Sequence, residues 1–187
     1  MSEIFKSIVA EHNIYTDKEH THSYIENFYE DNFLPYKDKE ITLVEIGVAD
    51  GESVRLWEHY FTSSKIYCLD IDETKHAFAE YVNKRDNIVY IVGDSYNKDV
   101  YELIPECDIF IDDGPHTLES QIQAIEIYLP KVKTGGLFVI EDVQELSHLD
   151  ILKEKAISIF PGYEYELIDI RESKGRYDDL MFIARVK

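Results

Sequence analysis

The 187-residue chain reads as an α/β protein: a largely parallel seven-stranded sheet with helices on both faces and an antiparallel pair of strands at its C-terminal end. Three observations predict it. Short apolar, β-rich runs alternate with amphipathic helical stretches from 41 to 159, which is the pattern of successive βα units. The first of these runs ends in a glycine-bounded turn, Gly47-Val-Ala-Asp-Gly51, that leads straight into a helix. The last two runs, 165–170 and 180–186, are joined by a polar loop too short for a crossover helix, so they must pair antiparallel.

Composition limits what such a fold can do. Nineteen Lys and Arg against 38 Asp and Glu give a net charge of −19, which repels polynucleotide phosphate and anionic membrane alike. Neither nucleic acid nor membrane is expected as a partner. Apolar residues at 44% and aromatics at 13% suit a folded globule. The length suits one domain over 1–187, with 1–40 as a helical segment capping the site and 41–187 as the core. Cys68 and Cys107 fall in or beside apolar runs and read as reduced core thiols. No run approaches the roughly 18 apolar residues of a membrane span, and the first residues lack a basic region leading into an apolar stretch. A cytoplasmic protein is expected.

Taken in order, residues 3–12 carry Ile4, Phe5, Ile8 and Val9 at helical spacing, and 23–34 carry Tyr24, Ile25, Phe28, Tyr29 and Phe33, so two amphipathic helices are expected. Between them lies Thr16-Asp17-Lys18-Glu19-His20-Thr21-His22, either a helix-capping loop with solvated histidines or a ligating segment. Ile41 to Gly47 is a strand, and Glu52 to Phe61 the helix after the turn. Glycines at Gly47 and Gly51 let the backbone approach a ligand closely while the turn's N–H groups point at it. Lys65 to Asp70 is a second strand ending in a carboxylate, with Asp72 the nearby alternative. An acid about 20 residues past a glycine turn is where nucleotide-type folds hold the ribose hydroxyls. A helix over 74–83 and a strand from Asn87 to Gly93 follow, the strand ending in Asp94 and Ser95. There Asp94 either accepts from an adenine amino group or serves as a turn aspartate.

A short helix at 99–103 precedes the fourth strand, Asp108 to Asp112, which runs into Asp113-Gly-Pro-His116. The helix from Thr117 to Leu129 places Leu118, Ile122, Ile125 and Leu129 on one face, to pack on the sheet. Pro130 and Gly135-Gly136 break the chain before the fifth strand, Leu137 to Glu141, which ends in the pair Glu141-Asp142. A last helix spans 151–159. Ligands of open α/β sheets collect at the strands' carboxyl ends. The two acidic pairs should therefore open into one crevice, four carboxylates and a histidine around a hard cation.

Five βα units closed by an antiparallel hairpin differ from the dehydrogenase arrangement. They resemble the Rossmann-like class I S-adenosylmethionine-dependent methyltransferases. The residues that carry the resemblance are Glu45-Ile-Gly47-Val-Ala-Asp-Gly51, Asp70, Gly93-Asp94-Ser95, Asp112-Asp113-Gly-Pro-His116 and Val139-Ile-Glu141-Asp142. More narrowly, Thr16-Asp17-Lys18 followed by His22-Ser-Tyr24 is similar to the metal-dependent macrolide-type sugar O-methyltransferases. The resemblance implies that Asp113, Glu141 and Asp142 hold Mg²⁺ and that His116 is the general base. It implies too that Glu45, Gly47, Gly51, Asp70, Asp94, Ser95 and Asp112 surround S-adenosylmethionine, Asp112 either in contact or as a support of its loop. Ala49 and Pro115 depart from the family pattern, and the macrolide enzymes' extra N-terminal domain has no counterpart in these residues.

The chemistry suits those residue types. A sugar hydroxyl is a poor nucleophile near neutral pH, so a carboxylate-bound cation that acidifies it and an imidazole that takes its proton would enable in-line attack on a sulfonium methyl. The expected partner is a small acceptor, a sugar or glycosylated natural product, with a homo-oligomer left open. Rings of Tyr24, Tyr29 and Tyr177 could stack on it or simply pack. The alternatives are a metal-independent N- or O-methyltransferase of small molecules, metal-assisted hydrolysis at the same carboxylates, and a non-catalytic binding protein of the same fold.

Overall fold

The computed structural model describes residues 4–72 and 76–187, so the helix starts expected at 3 and 74 lie outside the described residues. The chain opens with α1 (Ile4–His12) and α2 (Asp17–His20), then a wide helical turn over Ile25–Tyr29, α3 (Glu30–Phe33) and a tight turn at Leu34–Tyr36. The units β1 (Glu40–Ile46), α4 (Glu52–Tyr60), β2 (Ser63–Asp70), α5 (His76–Val82), β3 (Ile88–Val92) and α6 (Lys98–Tyr101) follow. Next come β4 (Cys107–Asp112), α7 (Leu118–Ile127), β5 (Val132–Ile140), α8 (Leu146–Ile159), β6 (Glu164–Asp169), α9 (Arg171–Lys174) and β7 (Leu180–Arg185).

The strands lie in the order β3-β2-β1-β4-β5-β7-β6, parallel from β3 to β5, with β7 antiparallel to both β5 and β6. The expected α/β sheet with an antiparallel C-terminal pair is thus present. From β1 the chain builds outward through β2 to β3, then returns to lay β4 and β5 on the other side. Strand order therefore reverses between β1 and β4, the place where open α/β sheets form a ligand crevice.

Side-chain alternation decides what each face receives. Ile41 and Leu43 of β1, Ile109 and Ile111 of β4, and Leu137 and Val139 of β5 face one apolar layer. That layer is filled by Phe5, Tyr24, Phe28, Tyr29 and Phe33 of the N-terminal segment and by Trp57 and Tyr60 of α4. Val44, Phe110, Phe138 and Ile140 face the other layer, with Ala124 and Ile125 of α7 and Leu149 and Leu152 of α8. By the same parity Glu45 and Glu141 belong to the first face, under the N-terminal segment, whereas Asp112 belongs to the second.

Three boundaries differ from expectation by more than two residues, and the polar loop expected between the last two strands holds the short helix α9. β5 begins at Val132 and runs through Gly135-Gly136, because Gly135 (φ +80°) donates to Val186 and Gly136 accepts from it, while a Cβ on Gly136 would sit 2.8 Å from the carbonyl of Asp108. α8 starts at Leu146, a turn and more before Ile151. The helix expected over 23–34 is interrupted: Glu30 donates to Ile25, five residues back, so this stretch turns more widely than an α-helix. Among the described residues, no helix is long and apolar enough to cross a membrane.

Candidate active site

The crevice forms where β1, β4 and β5 end level. Asp113 N–H donates to Ile46 O at 2.9 Å and Glu141 N–H to Asp112 O at 3.0 Å. Gly47, Asp113 and Glu141 therefore stand side by side. Gly47 adopts φ +78°, and a Cβ there would lie 1.9 Å from the carbonyl of Asp113, so only glycine lets the two turns touch. Ala49 (φ +40°), His116 (φ +56°) and Asp142 (φ +51°) are three of the four non-glycine residues with positive φ among the described residues. Each sits in a turn after one of these strands, a local strain of the kind that gathers at functional sites.

A cavity of about 550 Å³ opens beside this junction, walled by Gly47, Ala49, Asp70, Asp94, Ser95, Tyr96, Asp113 and His116 among others. At its far end Asp70 accepts from the N–H groups of Val48 and Ala49, 3.0 Å each, and thereby holds the glycine turn. Asp94 caps its own turn through Tyr96 N–H. Gly51 does not line this cavity; at φ +77° it opens α4, and a Cβ there would strike the ring of Phe78. Glu45 stands apart from the cavity as well. It is fully buried, accepts from Trp57 Nε1 at 3.0 Å, and burial lifts its carboxyl to about 7 against the pull of Lys18. Asp112, on the opposite face, accepts from Gly114 N–H at 3.2 Å. Burial raises it to about 7, and its Oδ2 has no hydrogen-bond partner.

At the near end, the acidic residues are met by the N-terminal segment. Lys18 Nζ, from α2, lies 2.8 Å from Asp113 Oδ2 and 3.6 Å from Glu45 Oε1, and makes its closest contact with Glu141 Oε2. Burial alone would push this lysine's pKa down; the carboxylates of Asp113, Glu141 and Glu45 outweigh it and hold the ammonium charged well above the usual range. Tyr29 OH donates to Glu141 Oε1 and Tyr24 OH to Asp142 Oδ1. These two tyrosines, five apart, reach neighbouring acids because the wide turn lies between them. His22 Nδ1 is 2.5 Å from Asp179 Oδ1 and 3.6 Å from Asp142 Oδ1. Tyr24 and Tyr29 are thus buried hydrogen-bond donors and offer no ring to an acceptor; Tyr177, at 64% exposure, stays outside.

What gathers at His116 from this cluster is narrower than the four expected carboxylates. Asp113 Oδ1 and Asp142 Oδ2 each lie 3.9 Å from His116 Nε2. Ligand atoms of these three residues all fall within 4.8 Å of one another, a donor set that a divalent cation could share. Glu141, expected as a third ligand, pairs with Lys18 through Oε2 and accepts from Tyr29 through Oε1, and each oxygen keeps a further lone pair. Burial pushes Asp113 up to about 6 even with Lys18 beside it, the condition of a carboxylate short of positive charge.

Comparison with known proteins adds three findings. A family model described as a methyltransferase domain matches residues 44–143. The tetracenomycin-pathway 8-demethyl-8-alpha-L-rhamnosyl tetracenomycin-C 2'-O-methyltransferase of Streptomyces olivaceus is 33% identical over 141 residues, 69% of this chain and 35% of that protein. Demethylmacrocin O-methyltransferase of Streptomyces fradiae is 34% identical over 126 residues, 62% of this chain and 30% of its own length. The chain therefore spans about a third of these curated relatives. Among solved structures, the MycE methyltransferase of mycinamycin biosynthesis, in complex with Mg, SAH and mycinamycin VI, superposes with a TM-score of 0.73 at 21% identity. The match covers 97% of this chain and 54% of that one.

Proposed function

Since the chain belongs to the methyltransferase domain family, we propose that it transfers a methyl group from S-adenosylmethionine to a hydroxyl of a sugar or other small natural product, assisted by Mg²⁺. The observation that carries this reading is the continuity of one cavity from Asp70 and Asp94 to Asp113 and His116. A ligand held at the glycine turn by one end would present its other end to the histidine and the acids. The relatives' names, which specify O-methylation of rhamnosyl and macrolide compounds, support a sugar hydroxyl as acceptor.

The residues fit both groups. Gly47 allows close backbone approach, and Asp70, Asp94 and Ser95 offer acceptors along the wall for ribose and adenine. Asp113 and Asp142, with Glu141 beside them, would hold the cation. When bound, the cofactor supplies an activated methyl and the metal lowers the pKa of a coordinated hydroxyl. The protein supplies position and a base: His116 Nε2, facing both carboxylates, accepts the hydroxyl proton as the oxygen attacks in line. Tyr24 fixes the other oxygen of Asp142, so the one toward His116 stays in place. Asp112 holds its own turn through Gly114 N–H, and Glu45 anchors Trp57 of α4.

Calorimetry with S-adenosylhomocysteine, followed by turnover of sugar-bearing acceptors with and without EDTA, tests this function. Binding of the cofactor product and loss of turnover on chelation are expected. Absence of S-adenosylhomocysteine binding would sink the reading, and turnover unaffected by exhaustive chelation would remove the metal from it.

A further inference from the structure

In-line transfer puts the acceptor beyond the methyl group, on the side of His116 and the acids that lies away from the adenosyl end of the cavity. Two of the ways out from there are taken. Toward the sheet, Lys18, Tyr24 and Tyr29 are buried and paired with the carboxylates. Toward α4, a smaller cavity of about 220 Å³ at Tyr15 shares Asp17, Gly47, Ala49 and Asp113 with the larger one, and so extends it along the glycine turn. The third way leads from Asp142 through Gln144 to Tyr177 at the surface. We propose that Tyr177, locked over the end of β5 by Gln144, is the platform on which a pyranose ring of the acceptor stacks, and thereby a specificity-determining residue.

Tyr177 is 64% exposed, yet it is held. Its hydroxyl donates to Gln144 Oε1 at 3.0 Å, and Gln144 Nε2 donates to the carbonyl of Asp142 at 3.0 Å. Two bonds thus tie the ring to the backbone of an acid that faces His116. The loop that carries it is fastened on both sides. Before it, Lys174 Nζ donates to the carbonyls of Glu19, His20 and His22, and Arg176 pairs with both oxygens of Asp178 at 3.1 and 3.0 Å. After it, the carbonyl of Asp178 accepts from Tyr24 OH at 3.3 Å, and Asp179 meets His22. The flanking residues are anchored inward, while the ring of Tyr177 is left to solvent. A ring already fixed by its hydroxyl loses little further freedom when a ligand covers it. One face of a pyranose is a patch of C–H bonds that packs on an aromatic ring and leaves the hydroxyls in water, and tyrosine offers such a surface beside a polar tip. Leu146, two residues past Gln144 and 49% exposed, adds apolar surface where α8 begins. Tyr15, at 74% exposure, is the weaker platform, because it is already stacked on His20 at 4.2 Å.

The proposal rests on the sugar-directed function proposed above, and a binding measurement tests it without turnover. The probe is methyl α-L-rhamnopyranoside, chosen because a relative's name specifies a rhamnosyl compound. Its saturation-transfer NMR would be followed on protein loaded with S-adenosylhomocysteine and Mg²⁺, for the unaltered chain, Tyr177→Ala, Tyr177→Phe and Gln144→Ala. Melting and S-adenosylhomocysteine calorimetry would accompany each. Tyr177→Ala should weaken the glycoside about tenfold and abolish saturation of the C–H protons on one face of its ring. Tyr177→Phe and Gln144→Ala, which keep the ring and release its anchor, should weaken it by about two- to fivefold. Affinity for S-adenosylhomocysteine should stay within about threefold in all three, since none lines the cofactor cavity. Glycoside affinity and saturation unchanged in Tyr177→Ala would overturn the proposal alone. So would Tyr177→Phe losing as much as Tyr177→Ala, because the hydroxyl and not the ring would then carry the contact. An unaltered protein that binds S-adenosylhomocysteine but not the glycoside overturns the sugar platform and leaves the cofactor reading standing; one that binds neither overturns both.

Discussion

On the β1–β2–β3 side of the crevice the walls come from the turns that directly follow the strands, and their carboxylates hold nearby backbone. Asp70 grips Val48 and Ala49, and Asp94 caps Tyr96. On the β4–β5 side the carboxylates are answered from far along the chain: Asp113 and Glu141 by Lys18, Glu141 by Tyr29, Asp142 by Tyr24. The first side stays open for a ligand. The second is a closed polar network in which every pairing must be kept, because a buried carboxylate stripped of its partner costs more than the bond it loses. A nucleotide-like ligand needs a shaped wall, while a small cation needs oxygens that do not move.

The sharpest way to separate the halves is His116→Ala. Loss of the general base proposed above predicts a fall in turnover of about 10²–10⁴-fold. Affinity for S-adenosylhomocysteine, measured by calorimetry, should stay within about threefold, since the imidazole lies at the near end of the cavity. A parallel loss of cofactor affinity would mean that the two sides act as one.

Gly47→Ala should break the division itself. The new Cβ would collide with the Asp113 carbonyl at a φ that L-residues avoid, so the β1 and β4 turns must part. Destabilisation of about 2–4 kcal/mol in urea unfolding is expected, together with weakened binding of both S-adenosylhomocysteine and Mn²⁺. A variant as stable as the unaltered protein would show that the two turns are not joined there.

Tyr24→Phe touches only the acidic side. It removes the donor to Asp142 Oδ1 and should cost about 1–3 kcal/mol while lowering Mn²⁺ affinity by roughly tenfold. Cofactor affinity should not move.

The smallest effect is on pH dependence. Burial holds Glu45 and Asp112 at about 7 in the folded chain, above their unfolded values near 4. Between about pH 4 and 7 the folded state therefore binds more protons than the unfolded one, and the contribution of these groups to stability falls as pH rises. The unfolding free energy from urea titrations should be lower at pH 7.5 than at pH 5.5, by about 1–2 kcal/mol for each group. Asp112→Asn should flatten part of that slope; an unchanged slope would show that Asp112 is not held protonated.

Most of the sheet was legible because its strands are apolar runs bounded by Gly, Asp and Pro, and the short loop after β6 dictated the antiparallel pair. The start of β5 was not, since Gly135-Gly136 looks like a break until Val186 is seen to pair with it. Gly47, Asp70, Asp94, Ser95, Asp113 and His116 were legible as a group, and the structure gathers them round one cavity. Lys18 was not legible as their partner, because a lysine in a polar segment is solvated by default and its carboxylates lie 95 and 123 residues away. The available signal was parity: Glu45 and Glu141 sit on the strand face that the N-terminal aromatics cover, and two buried carboxylates there require a cation. The same parity would have separated Asp112 from Asp113. The wide turn at Ile25–Tyr29, which brings Tyr24 and Tyr29 to adjacent acids, left no mark in the hydrophobic spacing.

The place of β7 between β5 and β6 imposes an order of assembly. β6 precedes β7 along the chain, yet it pairs with β7 alone, so its place in the sheet depends on Leu180–Arg185 lying along β5. That margin of the sheet is consolidated from the inside outward, and its outer strand is the last to be secured and the first to be released. Until β7 arrives, the apolar run Leu137–Ile140 presents an unpaired edge, the kind of surface through which one chain captures another.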